Sequence, residues 1–292
     1  MASVSRGATN RSGHVASRTE HLVSTVDPAV RHHPTPADRA RRALALVDLT
    51  ELGEGATTAD VDRLCVRADG VHGAVAAVCV WPPFVAQCVA ALAGTGVRVA
   101  TVVNFPSGDE PVDDVVAMTT QALADGADEI DLVLPYRALA SGDHQRPAAM
   151  VDAVRDLLHI GGARLLKVIL ETGELVDPAL VDQAARLAIR HGADFIKTST
   201  GKTAVSATTA ATAVMLRAIS DLDPRVGLKP SGGIRTTQDA WVYLDQADHV
   251  MGPNWVSPRT FRFGASGLLD ALIATIEGDE AAAGAAASAK GY

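Results

Sequence analysis

Three lysines, Lys167, Lys197 and Lys229, lie inside apolar, strand-like runs at spacings of 30 and 32 residues, close to the length of one strand-plus-helix unit. A single lysine on a strand is ordinarily an edge device against aggregation. Three at one phase of a repeat predict a shared site, at a similar height on three successive strands. The central lysine belongs to Asp194-Phe195-Ile196-Lys197-Thr198-Ser199-Thr200-Gly201-Lys202. Alternation there puts Phe195, Lys197 and Ser199 on one face and Ile196, Thr198 and Thr200 on the other. Burial penalises an ammonium, and a second cation nearby penalises it further. Bringing such a lysine to neutrality near pH 7 takes about 4.6 kcal/mol of differential interaction. The product is an amine able to attack a carbonyl and form a Schiff base. Lys197 and Lys229, on adjacent strands, are the pair expected for nucleophile and perturbing cation. Asp131, within the apolar run Glu129–Pro135, is a carboxylate that needs a partner. Lysines on the following strands would supply one, either in a structural ion pair or as the acid and base that carbinolamine formation and Cα proton transfer require. Glu171, ending the Lys167 strand, is expected as a polar residue at the lip of the site.

The elements that must position these groups alternate along the chain. Strands are expected at Leu44–Thr50, Ala74–Val80, Val97–Phe105, Glu129–Pro135, Leu165–Glu171, Phe195–Thr200, Val226–Ser231 and Thr260–Ala265, with helical patterns between them. In Asp177–Arg190, for example, Leu180, Ala184 and Leu187 recur at i, i+4 and i+7. Eight units with strands apolar on both faces predict a parallel sheet covered by helices, closed into a single (β/α)8 TIM barrel. An open doubly wound sheet is the alternative, but no GxGxxG follows the first strand. Residues 1–34, rich in Ser, Ala, Thr and Arg, predict a disordered extension. A helix begins at Thr35-Pro36 and runs through Arg42, where it could plug the bottom of the barrel. The barrel then occupies 35–277. Residues 278–292 predict a flexible tail whose terminal Tyr292 could visit the mouth of the site.

The chain has 292 residues, 48% of them hydrophobic, and a formal net charge of −8. That balance argues against a surface drawn as a whole to nucleic acid or anionic membrane. No apolar run approaches the roughly 18 residues of a membrane span, and the start lacks the apolar core of a secretory signal. A cytoplasmic protein is expected. Cys65, Cys79 and Cys88 show neither CxxC spacing nor a histidine companion, so reduced structural thiols are expected. His72, His144 and His191 lack ligand spacing and read as solvated.

Three loops offer small residues and exposed backbone N–H groups: Thr200-Gly201-Lys202, Ser231-Gly232-Gly233 and Gly264-Ala265-Ser266-Gly267. Each alone would be an ordinary turn. Together, after the last strands of a barrel, they predict a phosphate cradle.

The same residues carry a family resemblance. Over roughly 40 to 276 the chain resembles the class I deoxyribose-phosphate aldolase family, through Leu46-Val47-Asp48-Leu49-Thr50, Ala77-Val78-Cys79-Val80, Asn104-Phe105-Pro106, Gly126-Ala127-Asp128-Glu129-Ile130-Asp131, Leu166-Lys167-Val168-Ile169, Glu171-Thr172-Gly173-Glu174-Leu175, the Lys197 stretch, Lys229-Pro230 with Gly232-Gly233, and Phe263-Gly264-Ala265-Ser266. The resemblance implies Lys197 as the Schiff-base lysine, Asp131 and Lys229 as the proton donor and acceptor, and Lys167 as a member of the proton relay. It implies Asp48, Thr50, Cys79, Gly201, Lys202, Gly232, Gly233 and Ser266 as substrate-binding residues, the last five on the phosphate side. The implied reaction is reversible cleavage of 2-deoxy-D-ribose 5-phosphate to acetaldehyde and D-glyceraldehyde 3-phosphate. Its implied partners are a small-molecule sugar phosphate and aldehydes, with no metal, no organic cofactor, no nucleic acid and no membrane; a homodimer is a possible assembly. Gly267 stands where some members have a second serine, keeping an N–H and losing a hydroxyl, and Ser231 stands where alanine is common. Another Schiff-base aldolase or a transaldolase would keep Lys197 with a different donor. A sugar-phosphate sensor would bind without turnover, and an interaction protein would need no buried charges. The set Lys197, Asp131 and Lys229 favours turnover.

Overall fold

The structure, a computed structural model, describes residues 34–160 and 164–279. The expected extension up to His33 and the expected tail from residue 280 to Tyr292 therefore lie outside the described residues.

Eight strands form one parallel sheet: β1 (Val47–Glu51), β2 (Ala77–Val80), β3 (Arg98–Val103), β4 (Glu129–Val133), β5 (Leu165–Ile169), β6 (Phe195–Lys197), β7 (Gly227–Lys229) and β8 (Phe263–Ala265). Each strand from β1 to β6 pairs with the next, and β8 pairs back onto β1, with Asp48 opposite Gly264. The remaining seam is closed between β7 and β8. Parallel bridges join Leu228 to Phe261 and Ser231 to Gly264, and Arg262 N donates to Leu228 O at 3.0 Å. The sheet is thus a (β/α)8 barrel, as the repeat of the sequence predicts. Alternate residues such as Ile130, Leu132, Val168, Ile196 and Leu228 join the apolar core under the helices, while Glu129, Asp131, Lys167, Lys197 and Lys229 share the opposite, inward phase.

The strands are shorter than the apolar runs that announce them, because the chain leaves the ladder to build the site. After Lys197, Thr198 N still donates to Lys229 O at 3.1 Å, but Thr200 N turns to the Glu171 carboxylate at 3.3 Å. At the last run, Phe261 N is taken by Ser257 O in a turn at 2.8 Å, and regular pairing starts at Phe263. A two-residue antiparallel hairpin, Asp69–Gly70 with Gly73–Ala74, precedes β2 and carries no apolar pattern to announce it.

Around the sheet lie α1 (Pro36–Leu44), α2 (Thr58–Ala68), α3 (Val85–Ala91), α4 (Val112–Ala124), α5 (Tyr136–Ala140), α6 (Gln145–Ile160), α7 (Thr172–Leu175), α8 (Pro178–Arg190), α9 (Thr209–Leu222), α10 (Thr237–Met251) and α11 (Leu268–Glu277). Thr35 caps α1 in a capping box with Asp38, and Pro36 occupies the first turn. The helix packs against α11 and α10 instead of plugging the barrel. Arg39 pairs with Asp245 at 2.5 Å and Arg42 with Asp248 at 2.6 Å. The floor instead borders a cavity of about 600 Å³, bounded by residues that include Ala45, Arg98, Glu129 and Arg262.

Candidate active site

The barrel interior, which Val, Ile and Leu usually fill, holds charges here. Lys197 and Lys229 end β6 and β7 and stand opposite each other in register. Lys167 sits lower, since it pairs with Asp131 on one side and Phe195 on the other, two residues below Lys197. The expectation of three lysines at a similar height therefore holds for two of them. The sheet register steps as the barrel closes, so equal sequence spacing does not mean equal height. The step serves the geometry: Lys167 takes one oxygen of the carboxylate whose other oxygen meets the other two.

That carboxylate is Asp131. Its Oδ1 accepts from Lys167 Nζ at 2.7 Å, and its Oδ2 accepts from Lys229 Nζ at 2.8 Å and Lys197 Nζ at 3.1 Å. Lys167, Lys229 and Asp131 are fully buried, and Lys197 is 2% exposed. Burial alone would raise the Asp131 pKa, but Lys167, Lys229 and Lys197 outweigh it and hold the group well below the usual carboxylate range. Lys229 goes the other way from Lys197. Burial would lower it, but Asp131 and Asp48 together raise it well above the ordinary lysine value. Lys197 is lowered, first by burial, against the pull of Asp131 and with the help of Lys229. One lysine in this array is thus biased toward the free amine, beside a neighbour fixed as a cation. A free amine there can add to a carbonyl.

Asp48, expected beside the substrate, lies within the ion array. Its Oδ2 is 2.6 Å from Lys229 Nζ and 3.5 Å from Lys167 Nζ, and its Oδ1 accepts from Arg262 at 2.6 Å. Thr50 and Cys79 are cross-strand partners one layer above it, both buried. Burial, then Asp131, raises the Cys79 thiol, keeping it protonated. Leu52, Cys79, Ala100 and Val102 form a small apolar cluster with Trp81 and Phe105, whose rings meet edge-on at 5.4 Å. Glu171 is fully buried instead of standing at the lip. Its backbone takes φ 55°, in the left-handed region, and its carboxylate accepts from the Thr200 hydroxyl at 2.5 Å and from Thr203 at 3.3 Å. The residue that ends β5 thereby holds the loop after β6. Burial raises its pKa, opposed by the Thr200 hydrogen bonds.

Just beyond the lysines, at the C-terminal ends of β6 to β8, lies a cavity of about 340 Å³. Gly201, Gly232, Gly233 and Ser266 all line it, with Arg235 and Ser206. Lys202 does not; its Nζ donates to Leu52 O at 2.8 Å, tying the β6 loop to the end of β1. A Cβ on Gly232, at φ 80°, would come within 2.5 Å of Ser206 Oγ, so this wall tolerates only glycine. Helix α11 begins beside Ser266 with Gly267 at its N-cap and no side-chain cap. Among the described residues no side chain caps its first N–H groups, whereas α10 has a Thr236–Asp239 capping box. Among the described residues, no group of three or more His, Cys, Asp and Glu is arranged to hold a metal ion. Among them too, no helix is long and apolar enough to cross a membrane. Cys65, Cys79 and Cys88 are free and buried.

Sequence reasoning missed three members. Glu129 shares the inward phase with Asp131, two residues away, and that alternation was the available signal. Arg262 alternates with Phe261 and Phe263 in the same way. Arg235 follows the Gly232-Gly233 turn and reads in sequence as any surface arginine.

The chain matches the model of the DeoC/LacD family aldolases over residues 42–270. It is 53% identical over 248 residues to a deoxyribose-phosphate aldolase from Agrobacterium fabrum, covering 85% of this chain and 95% of that one. Among solved structures it resembles a protein from Toxoplasma gondii ME49 provisionally assigned as a deoxyribose-phosphate aldolase, with a TM-score of 0.77 and 27% identity over 85% of this chain and 98% of the other. It also resembles a tetrameric deoxyribose phosphate aldolase from Aeropyrum pernix, with a TM-score of 0.65 and 25% identity over 83% and 91% of the two chains.

Proposed function

The chain belongs to the DeoC/LacD family of aldolases, and on that footing we propose that it reversibly cleaves 2-deoxy-D-ribose 5-phosphate to acetaldehyde and D-glyceraldehyde 3-phosphate, in deoxynucleotide and deoxynucleoside catabolism. The observation that carries this reading is the buried Lys197 amine, lowered in basicity beside Lys229 and 3.1 Å from Asp131 Oδ2.

The amine of Lys197 adds to the C1 aldehyde of the open-chain sugar, and loss of water from the carbinolamine leaves an imine. Protonated, that imine accepts the electron pair of the C2–C3 bond as a base takes the proton of the C3 hydroxyl. The bond breaks to D-glyceraldehyde 3-phosphate and an enamine. Protonation at C2 and hydrolysis release acetaldehyde and restore the amine. Asp131, with Lys229 as proton donor and Lys167 below it in the relay, is the group within reach for these transfers. The imine itself is the electron sink, so the reaction as written calls for no metal or organic cofactor. Gly201, Gly232, Gly233, Ser266 and Arg235 take the phosphate, aided by the start of α11. Thr50 and Cys79, with Asp48 beneath them, bound the aldehyde end, and Lys202 anchors the phosphate loop to β1. The reading includes a cytoplasmic setting and a homodimer, the latter checked by light scattering.

The test is turnover of 2-deoxyribose 5-phosphate, followed by release of glyceraldehyde 3-phosphate, with Lys197→Ala measured beside it. Turnover that depends on Lys197 supports the reading, and turnover that survives the substitution removes the nucleophile assigned here.

A further inference from the structure

Below the lysines the charges continue to the barrel floor. Lys167 Nζ lies 2.6 Å from Glu129 Oε2. The other oxygen of Glu129 accepts from Arg262 Nη2 at 3.0 Å, while Arg262 Nη1 reaches Asp48 Oδ1 at 2.6 Å. Arg262 Nε is held by Pro258 O at 2.5 Å, and its guanidinium stands over the Phe195 ring at 5.5 Å. Glu129 and Arg262 are 1% and 4% exposed and border the floor cavity. They lie one layer or more beneath Lys197 and touch nothing in the upper cavity.

The array contains three carboxylates, Asp48, Glu129 and Asp131, and three cations besides Lys197, namely Lys167, Lys229 and Arg262. A buried net charge is costly, so an array of this kind settles where its charges cancel. Over these ion-paired groups they cancel when one of the four basic groups is uncharged, and Lys197, ion-paired with Asp131 alone among the described residues, is the one held least strongly as a cation; the buried Glu171 stands outside the ion-paired array. We infer that Arg262 is a positioning residue for the reaction: from the floor of the barrel it offsets the charge of Glu129 and so keeps Lys197 a free amine. This rests on the reading of Lys197 as nucleophile.

The groups facing Lys197 are Asp131 on β4, Lys229 on β7, Cys79 on β2 and Glu171 after β5. Lys167 on β5 shares Asp131 with it. None of these residues is substituted when the floor is altered, and the floor acts on them through the Glu129–Lys167 and Arg262–Asp48 pairs. Removing one floor charge leaves the array a full unit out of balance at a distance on the order of 10 Å, enough to move a titration by roughly one pH unit. The direction depends on the sign removed. Arg262→Met makes the array negative, favours protonated Lys197 and moves the acidic limb of activity upward in pH. Glu129→Gln makes it positive and moves the limb downward. The pair Glu129→Gln with Arg262→Met is neutral again and returns the limb toward the parent, and Arg262→Lys keeps the charge and leaves the limb in place even if kcat falls.

The experiment measures the pH dependence of the borohydride-trapped acetaldehyde adduct, located by mass analysis, with a melting curve for each variant. Opposite shifts in the single variants and their cancellation in the double one are the expected result. A purely structural role would lower activity in both without moving the limbs apart, and unmoved or parallel limbs overturn the inference. If Arg262→Met does not fold, Glu129→Gln must still shift downward and Arg262→Lys must not shift. A parent protein with no adduct on Lys197 would instead sink the nucleophile reading.

Discussion

Lys197 and Lys229 end adjacent strands in register, and the same oxygen of Asp131, Oδ2, lies 3.1 Å from the first amine and 2.8 Å from the second. The two lysines nevertheless differ in what surrounds them. Lys229 has a second carboxylate, Asp48, at 2.6 Å, whereas among the described residues Lys197 is ion-paired with Asp131 alone. One shared anion and one private one suffice to set two identical side chains to opposite protonation tendencies.

Lys229→Met tests this division. It removes a like charge at similar volume, so Lys197 gains basicity and holds its proton to higher pH. The acidic limb of kcat/KM should move upward, read from a pH–rate profile. An unchanged limb with lower activity would leave Lys229 only a role in proton transfer or binding.

Lys197→Arg keeps a cation in the array and removes the only nucleophile proposed. Activity should fall by about four orders of magnitude or more, with no borohydride adduct and a native circular dichroism spectrum. A trapped adduct on Lys167 or Lys229 would contradict the assignment.

Asp131→Asn leaves three lysines without their common anion and should cost about 3–5 kcal/mol of stability. Asp131 and Asp48 are both held below the ordinary carboxylate range by their cations. Their contribution is complete above the unfolded carboxylate value, about pH 4, and is lost as pH falls through the lower folded values. Urea unfolding from pH 7 to pH 2 should therefore show a steeper acid loss in the parent than in the Asn variant.

Arg235→Ala should raise KM for the phosphorylated sugar by about tenfold, in line with one charge-assisted contact at a solvated site. Unphosphorylated deoxyribose, a poor substrate in both proteins, should be unaffected. Equal losses on the two sugars would remove Arg235 from the phosphate cradle.

The barrel was legible because its strands read as apolar runs on both faces and its period is regular; the lysines stood out as the interruptions. Alternation alone also marks Glu129 and Arg262 as inward, yet neither draws notice: Glu129 opens its apolar run and reads as the place where the run starts, and Arg262 is a lone charge in a short run. Height was not legible at all. Lys167 falls a layer below Lys197 through the register between strands, which no single segment encodes. Glu171 and the place of α1 depend on partners distant in the chain, Thr200 for the one and Asp245 and Asp248 for the other.

Helix α11 enters the phosphate-side cavity with Gly267 as its N-cap and, among the described residues, no side-chain cap. Three other helices of the barrel, α1, α2 and α10, close the same position with a threonine and an aspartate. The last helix is in that sense left unfinished by its own sequence. An anion seated there would act as the missing cap, so that occupancy of the cradle and tightening of the first turn of α11 become a single equilibrium, and the ligand completes the secondary structure that holds it.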